Sequence, residues 1–348
     1  MTEDIPEELT EYSLSALLTP SPPPREPDDF AGFWQETFDE FGAGPVDWEI
    51  VQELAPTAAH RVTEIRFASS AGEPAACYVM LPQDGPAVRG LVVGHGYGGR
   101  TGPDPARVPG GTAAVFPVAP GLHPGTASRF PASADEHVLA GIAHRDTYSH
   151  RFSAADIWRA ATVLLELAPA AARSLDYSGE SFGGGIGALA LPWDARFRRA
   201  VLDVPSFGDH DVRLSRRCTG SGEAVRRHLR LHPEARPVLD YFDAAIAARR
   251  LHLPVSVSAA VVDPAVDPRG QFAVYRALPG PAASACAPAA ISRARSGRSP
   301  TGSPWRTAST SSSSPTSGWS ERADEQLVRR SQTTHSDLHR NCIGDSAE

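Results

Sequence analysis

The sequence predicts an α/β fold, a doubly wound and mostly parallel sheet with helices on both faces. Three observations carry that expectation. From Arg61 to about residue 280, short apolar strands alternate with amphipathic helices, the order that builds a parallel sheet. Leu91-Val92-Val93-Gly94-His95 is apolar without alternation, as suits a strand covered on both faces. A Gly-x-Ser-x-Gly pattern, Gly179-Glu180-Ser181-Phe182-Gly183, stands between a strand-like and a helix-like segment.

In chain order, the first forty residues are acidic and proline-rich. Pro20, Pro22, Pro23, Pro24 and Pro27 break regular structure there. Asp28-Asp29-Phe30-Ala31-Gly32-Phe33-Trp34 starts a short helix, capped by an aspartate and aromatic on one face. Residues 1–29 form an N-terminal arm packed on a larger body. After a coil, 61–67 alternates apolar and polar residues as a half-buried strand does, and 76–81 is a second strand ended by Pro82. The strand at 91–95 runs into the glycine-rich loop His95-Gly96-Tyr97-Gly98-Gly99-Arg100. A strand at 113–118 precedes a long loop with several histidines. Ile157, Trp158, Ala161, Leu164 and Leu165 share one face of a helix over 153–167. The strand before Ser181, a helix over 183–191 and a strand over 200–204 follow. Residues 208–250 are charged and helical, placed as a cap or insertion. The last clear strand, 254–262, ends at Asp263, and a helix can begin at Gln271.

These elements make one domain over 30–280. From 281 to 348 serine, threonine, alanine, proline and arginine crowd the chain and large aliphatic residues nearly vanish. Such a stretch buries too little surface to offset its ordering entropy, so a disordered tail is expected. A shift of reading frame near residue 280 would produce this abrupt change, and translation of the other two frames tests it.

The formal net charge of −8 argues against nucleic acid or an anionic membrane as the main partner. Cys77, Cys218, Cys286 and Cys342 lie far apart without CxxC spacing, so neither a disulfide framework nor a zinc cluster is expected. No metal or cofactor is called for. The acidic start lacks a cationic and an apolar leader region, and no eighteen apolar residues run together. A soluble cytoplasmic protein is the expectation.

The Gly-x-Ser-x-Gly pattern alone is weak, since roughly one chain in five of this size and composition carries it by chance. Its place between strand and helix gives it meaning. In an α/β-hydrolase that turn lifts a nucleophilic serine above the sheet edge, and its glycines allow close packing. Ser181 is then the nucleophile. The oxyanion hole needs two backbone N–H groups. Phe182 supplies one, and the loop at His95-Gly96-Tyr97-Gly98 the other, through Tyr97; His95 reads as a structural histidine at a strand end. The acid follows the nucleophile in chain order and belongs just past a strand, where Asp263 stands, with Asp267 and Asp203 as rivals.

Four segments together resemble the acetyl xylan esterase/cephalosporin-C deacetylase family: Asp28-Asp29-Phe30-Ala31-Gly32-Phe33-Trp34, His95-Gly96-Tyr97-Gly98-Gly99-Arg100, Gly179-Glu180-Ser181-Phe182-Gly183-Gly184, and Asp263-Pro264-Ala265-Val266-Asp267-Pro268 with Phe272-Ala273-Val274-Tyr275 after it. The resemblance spans 30–278 in consistent order. It implies an α/β-hydrolase fold and removal of acetyl groups from small oligosaccharides, cephalosporin-like compounds or related esters. It also implies Ser181 as nucleophile, Asp263 as triad acid, Tyr97 as an oxyanion and substrate contact, and an intracellular homo-oligomer.

The chain departs from the family at three places. Phe182 stands where members carry glutamine. Val118-Ala119-Pro120-Gly121-Leu122 replaces an Arg-Gly-Gln motif. The window that should carry the triad histidine reads Ala289-Ala290-Ile291-Ser292-Arg293-Ala294-Arg295. Beyond Asp263 only His335 and His339 remain, both in the tail; His137, His144 and His150 lie in the loop near the expected site mouth. The expected function is therefore a serine carboxylic-ester hydrolase acting on a small acetyl ester. The alternative is a hydrolase-like protein left defective by the missing histidine, and a peptidase of the same fold would instead cleave peptides.

Overall fold

The computed structural model describes residues 12–124, 128–279 and, as a backbone strand, 283–287. Nine strands form a single sheet: β1 (Trp48–Leu54), β2 (His60–Ala68), β3 (Pro74–Pro82), β4 (Arg89–Gly94), β5 (Thr112–Pro117), β6 (Leu175–Glu180), β7 (Phe197–Asp203), β8 (Val255–Ala260) and β9 (Ala283–Ala287). Their spatial order is β1-β2-β3-β5-β4-β6-β7-β8-β9. The first three strands and β5 pair antiparallel, and every pairing from β5 through β9 is parallel. This is the expected mostly parallel sheet. β4 and β5 are buried almost throughout, as their unbroken apolar runs require.

The helices are α1 (Leu14–Leu18), α2 (Phe30–Phe41), α3 (Ala134–His137), α4 (Ser149–Leu167), α5 (Phe182–Ala190), α6 (His210–Leu214), α7 (Ser221–Leu231), α8 (Arg236–Asp240), α9 (Ala244–Ala248) and α10 (Pro268–Ala277). α4 packs on β4 and β5, and α5 packs on β6, β7 and α4. The helical insertion expected at 208–250 is α6 to α9. Among the described residues no helix is long and apolar enough to cross a membrane.

α2 packs on the rest of the domain through aromatic burial. Trp34 and Phe33 meet the Phe242 ring at 5.5 and 5.8 Å, and Trp34 meets Trp158 at 6.4 Å. The Trp34 indole N–H donates to the Tyr241 carbonyl at 2.8 Å, so its buried polar atom is satisfied. The aspartate cap expected on this helix is not made. Asp29 occupies the N-cap position without a side-chain cap bond, because its carboxylate instead binds Arg145 at 2.6 Å and accepts from the Tyr241 hydroxyl.

Two strands differ from the sequence reading. β1 falls in the segment expected to be coil. It is an edge strand exposed from Glu49 to Glu53, so neither face imposes the alternation that marks a half-buried strand. β9 falls inside the expected tail. It pairs in parallel with β8 from Ser256↔Ala283 to Ala260↔Ala287, so the sheet runs past the expected domain end at residue 280. Ala283-Ser284-Ala285-Cys286-Ala287 contains no large aliphatic residue, whereas a backbone ladder needs none. The remaining tail, 288–348, lies outside the described residues.

Candidate active site

The strand β6 ends at Glu180 and α5 begins at Phe182, which leaves Ser181 alone to make the turn. Its backbone takes φ 52° and ψ −109°, a strained conformation for a residue with a Cβ. The surroundings hold it there. The Ser181 N–H donates to the Asp203 carbonyl at 2.8 Å, while the Ser181 carbonyl accepts from Gly185 and Ser206, each at 3.0 Å. The flanking glycines are required by contact. A Cβ on Gly179 would lie 2.5 Å from the Gly183 carbonyl oxygen, and one on Gly183 would lie 2.8 Å from the Gly94 carbonyl carbon. On the outer side, Arg107 ties the strand ends together. It donates to Glu180 at 2.8 Å and to Ser178 and Asp203, each at 3.3 Å.

Among the described residues four non-glycine positions have positive φ: Ser181, Val204, Phe207 and Asp209. Three of them lie in the loop that leaves β7, and that loop meets the serine. Ser206 Oγ is 3.4 Å from Ser181 Oγ. Backbone strain of this kind persists only where surrounding contacts over-determine it, and it concentrates at functional sites. Sequence reasoning overlooked Ser206 and Phe207. Their position just beyond a parallel strand's C-terminal end was the available signal.

His95 is buried and fully used. Its Nδ1 faces the Gly96 carbonyl at 2.7 Å, its Nε2 faces the Ala119 N–H at 3.0 Å, and its carbonyl accepts from the Gly183 N–H at 2.9 Å. Burial drives its pKa down to about 3, so the ring is neutral and bridges the loop to α5. The half-buried Tyr97 packs its ring 4.4 Å from Phe182. Its hydroxyl lies 3.2 Å from His137 Nδ1 and 3.0 Å from His150 Nε2. Because His137 Nε2 faces the Pro120 carbonyl at 2.9 Å, it carries the proton; Tyr97 then donates to His137 and accepts from His150, an assignment made from the network. Burial holds both histidines neutral, His137 at about 4. His144 is exposed and paired with Asp146 at 3.3 Å.

The three candidate acids have different surroundings. Asp267 grips Arg269 at 2.5 Å and caps α10 by accepting its backbone N–H. Asp203 pairs with Arg107 at 3.3 Å. Asp263 is buried and has no cation partner among the described residues. One oxygen accepts from the Ala265 and Val266 N–H groups at 2.9 and 3.0 Å, and the other accepts from Gln271 at 3.2 Å. Burial raises its pKa above the ordinary carboxylate value. Among the described residues, no histidine is hydrogen-bonded to Ser181 and no group of three or more possible metal ligands is gathered.

The family model for acetyl xylan esterase (AXE1) matches residues 8–284. The chain belongs to the acetyl xylan esterase family. Solved structures share its fold. The acetyl xylan esterase from Paenibacillus sp. R4 superposes with TM-score 0.71 at 20% identity, covering 79% of this chain and 92% of that one. Acetyl xylan esterase 1 from Thermoanaerobacterium sp. JW/SL YS485 gives TM-score 0.68 at 18% identity, covering 79% and 91%. The Pyrococcus horikoshii acylaminoacyl peptidase is more distant, with TM-score 0.51 at 15% identity over 66% of this chain and 37% of that one. Phe182 is buried at the start of α5. Its ring lies among Tyr97, His95, His150, His137 and Phe207 at 4.4 to 6.1 Å, where an amide side chain would need buried partners.

Proposed function

We propose that this acetyl xylan esterase family member is a serine carboxylic-ester hydrolase that removes acetyl groups from a small ester, an acetylated sugar or cephalosporin-like compound. The observation that carries the reading is the Ser181 backbone, held at φ 52° between β6 and α5. Ser181 Oγ attacks the acetyl carbonyl, the alcohol leaves, and water then releases acetate from the acyl-enzyme. The negative charge that develops on the carbonyl oxygen falls to backbone N–H groups of Phe182 and Tyr97. Phe182 opens α5, so its N–H has no intrahelical acceptor, and the helix dipole favours negative charge there. Asp263 is the acid that orients the base. Its two rivals are committed to arginines, and it alone carries a buried carboxylate past the end of β8 without one. No base is assigned: among the described residues no histidine is hydrogen-bonded to Ser181, and His335 and His339 lie outside them.

Hydrolysis of p-nitrophenyl acetate by the purified full chain tests this. Turnover that Ser181→Ala abolishes supports the reading. Turnover no greater than that of Ser181→Ala overturns it and leaves a hydrolase-like protein without catalysis. Cleavage of an acyl-peptide in preference to the acetyl ester would move the activity to the peptidases.

A further inference from the structure

Gln271 lies in α10, is 0% exposed, and has every polar group in use. Its Oε1 accepts from the Ala260 N–H at 2.8 Å. Its Nε2 donates to the Val266 carbonyl at 2.8 Å and to Asp263 Oδ2 at 3.2 Å. The Ala260 N–H needs an acceptor and the Val266 carbonyl needs a donor, so only this orientation of the amide satisfies all three partners. One side chain thus joins the end of β8, the turn that follows it and the carboxylate standing in that turn.

These bonds leave Asp263 one open direction. Oδ1 accepts from the Ala265 and Val266 N–H groups at 2.9 and 3.0 Å, which fills both its lone pairs. Oδ2 accepts from Gln271 alone. A carboxylate offers about four acceptor positions, so the fourth, on Oδ2, is where a further donor is received. The helix that carries Gln271 is itself docked beside the nucleophile. A Cβ on Gly208 would lie 2.2 Å from the Gly270 carbonyl oxygen, and Gly208 stands two residues beyond Ser206, which meets Ser181. At the two ends of α10, Arg269 grips Asp267 at 2.5 Å, and Arg276 donates to Ser21 Oγ at 2.9 Å and to the Leu17 carbonyl.

We propose that Gln271 is a positioning residue, which fixes the Asp263 carboxylate so that a single lone pair of Oδ2 faces the donor that Asp263 orients. The part this plays in catalysis rests on the deacetylase reading; the hold on Asp263 does not. The full chain labelled with carbon-13 at its aspartate carboxyls tests it by nuclear magnetic resonance, with the Asp263 signal assigned by its loss in Asp263→Asn. Asp267 and, across a small pocket, Arg213, Arg216, Arg217 and Cys218 also face Asp263, and they stay unchanged in these variants. Burial raises the Asp263 pKa while the Gln271 hydrogen bond lowers it, so removing that donor should raise it further. Gln271→Met should move the Asp263 titration up by about one pH unit, the effect of one hydrogen bond to a charged group. It should also lower kcat for p-nitrophenyl acetate by about a hundredfold, with little change in KM.

Gln271→Met strips Ala260 and Val266 of a partner as well, so Gln271→Glu is the second variant. It keeps an acceptor for the Ala260 N–H and sets another carboxylate against Asp263. One of the two should then hold its proton above the ordinary carboxylate range. An Asp263 titration that does not move in either variant, even with turnover lost, would show that Gln271 serves only the fold and would sink the proposal. A wild-type chain no faster than Ser181→Ala would end the deacetylase reading by itself, and the titration would still decide what holds Asp263.

Discussion

Ser206 touches Ser181 twice: its N–H donates to the Ser181 carbonyl at 3.0 Å, and its Oγ lies 3.4 Å from Ser181 Oγ. The first contact holds the strained turn and belongs to the backbone. The second is long, near the limit of a hydrogen bond. Ser206→Ala removes only the second. It should leave thermal stability unchanged and lower p-nitrophenyl acetate turnover by less than about tenfold, one weak hydrogen bond. Steady-state kinetics beside Ser181→Ala checks this; a loss as complete as that of Ser181→Ala would make Ser206 part of the reacting machinery.

Gly183 lets α5 approach the end of β4. An added Cβ meets the Gly94 carbonyl carbon at 2.8 Å and the His95 nitrogen and oxygen, each at 2.9 Å. These are backbone atoms and cannot swing aside. Gly183→Ala should cost about 1–3 kcal/mol and displace the loop that carries Tyr97. Gly32→Ala is the contrast. It sits in α2 with nothing within 4 Å, and should gain up to about 1 kcal/mol from helix propensity. Urea midpoints with unchanged m-values separate the two.

What the sequence showed depended on whether side chains or backbone carried the signal. The glycine requirement at Gly179 and Gly183, the buried strand before His95 and the helix around Ile157 were legible because side-chain size and periodicity encode them. β1 and β9 were not. One is an edge strand exposed to water, and the other is a run of alanines with a serine and a cysteine, joined by main-chain bonds. Likewise His137 and His150 were visible as loop histidines, while their meeting on Tyr97 is a consequence of the loop and α4 folding together. Ser206 offered only its place past the end of β7, since it matters through Ser181, a neighbour distant in sequence.

Phe182 should be needed for more than its N–H. It is buried in the ring cluster that also fixes Tyr97. Phe182→Gln keeps the backbone donor but places an amide where rings surround it. A loss of about 1–3 kcal/mol is expected for the unmet polar group, and Phe182→Leu should cost less. Chemical denaturation measures both; a stable Phe182→Gln would mean that the cluster can rearrange to serve the amide.

Acid should destabilise the fold between pH 6.5 and 4. Burial lowers the pKa of His95 to about 3 and of His137 to about 4, and lowers His150 and His210 as well. In that window the unfolded chain binds protons that these four rings refuse, so stability falls as pH falls. Asp156 and Asp243 oppose this, because burial raises each to about 6 and the native state then gains from acid. Asp209 and Asp263 are raised as well, while His228 is lowered and the Arg226 hydrogen bond holds Glu223 at about 2, so six groups that lose stability in acid stand against four that gain. Removing one ring by His137→Gln should reduce the slope of stability against pH by up to about 1.4 kcal/mol per unit. Urea unfolding at pH 4.5, 5.5 and 7 measures it; a slope that is unchanged would place the histidine proton elsewhere.

Asp263 and Asp267 stand four residues apart, yet their surroundings assign them opposite tasks. Asp267 is occupied twice, by the Arg269 guanidinium and by the first turn of α10. Asp267→Asn should therefore cost about 1–2 kcal/mol of stability, a cap and a partly exposed ion pair, and leave turnover within a few-fold. Asp263→Asn keeps an oxygen for the Ala265 and Val266 N–H groups, so the turn should survive. What it removes is the charge that would orient a histidine and stabilise it once protonated, and turnover should fall by on the order of 10⁴. Thermal melts and p-nitrophenyl acetate kinetics on both variants make the comparison. Equal kinetic losses would mean that Asp263 acts only through the shape of the loop, because shape is the one property that both substitutions disturb.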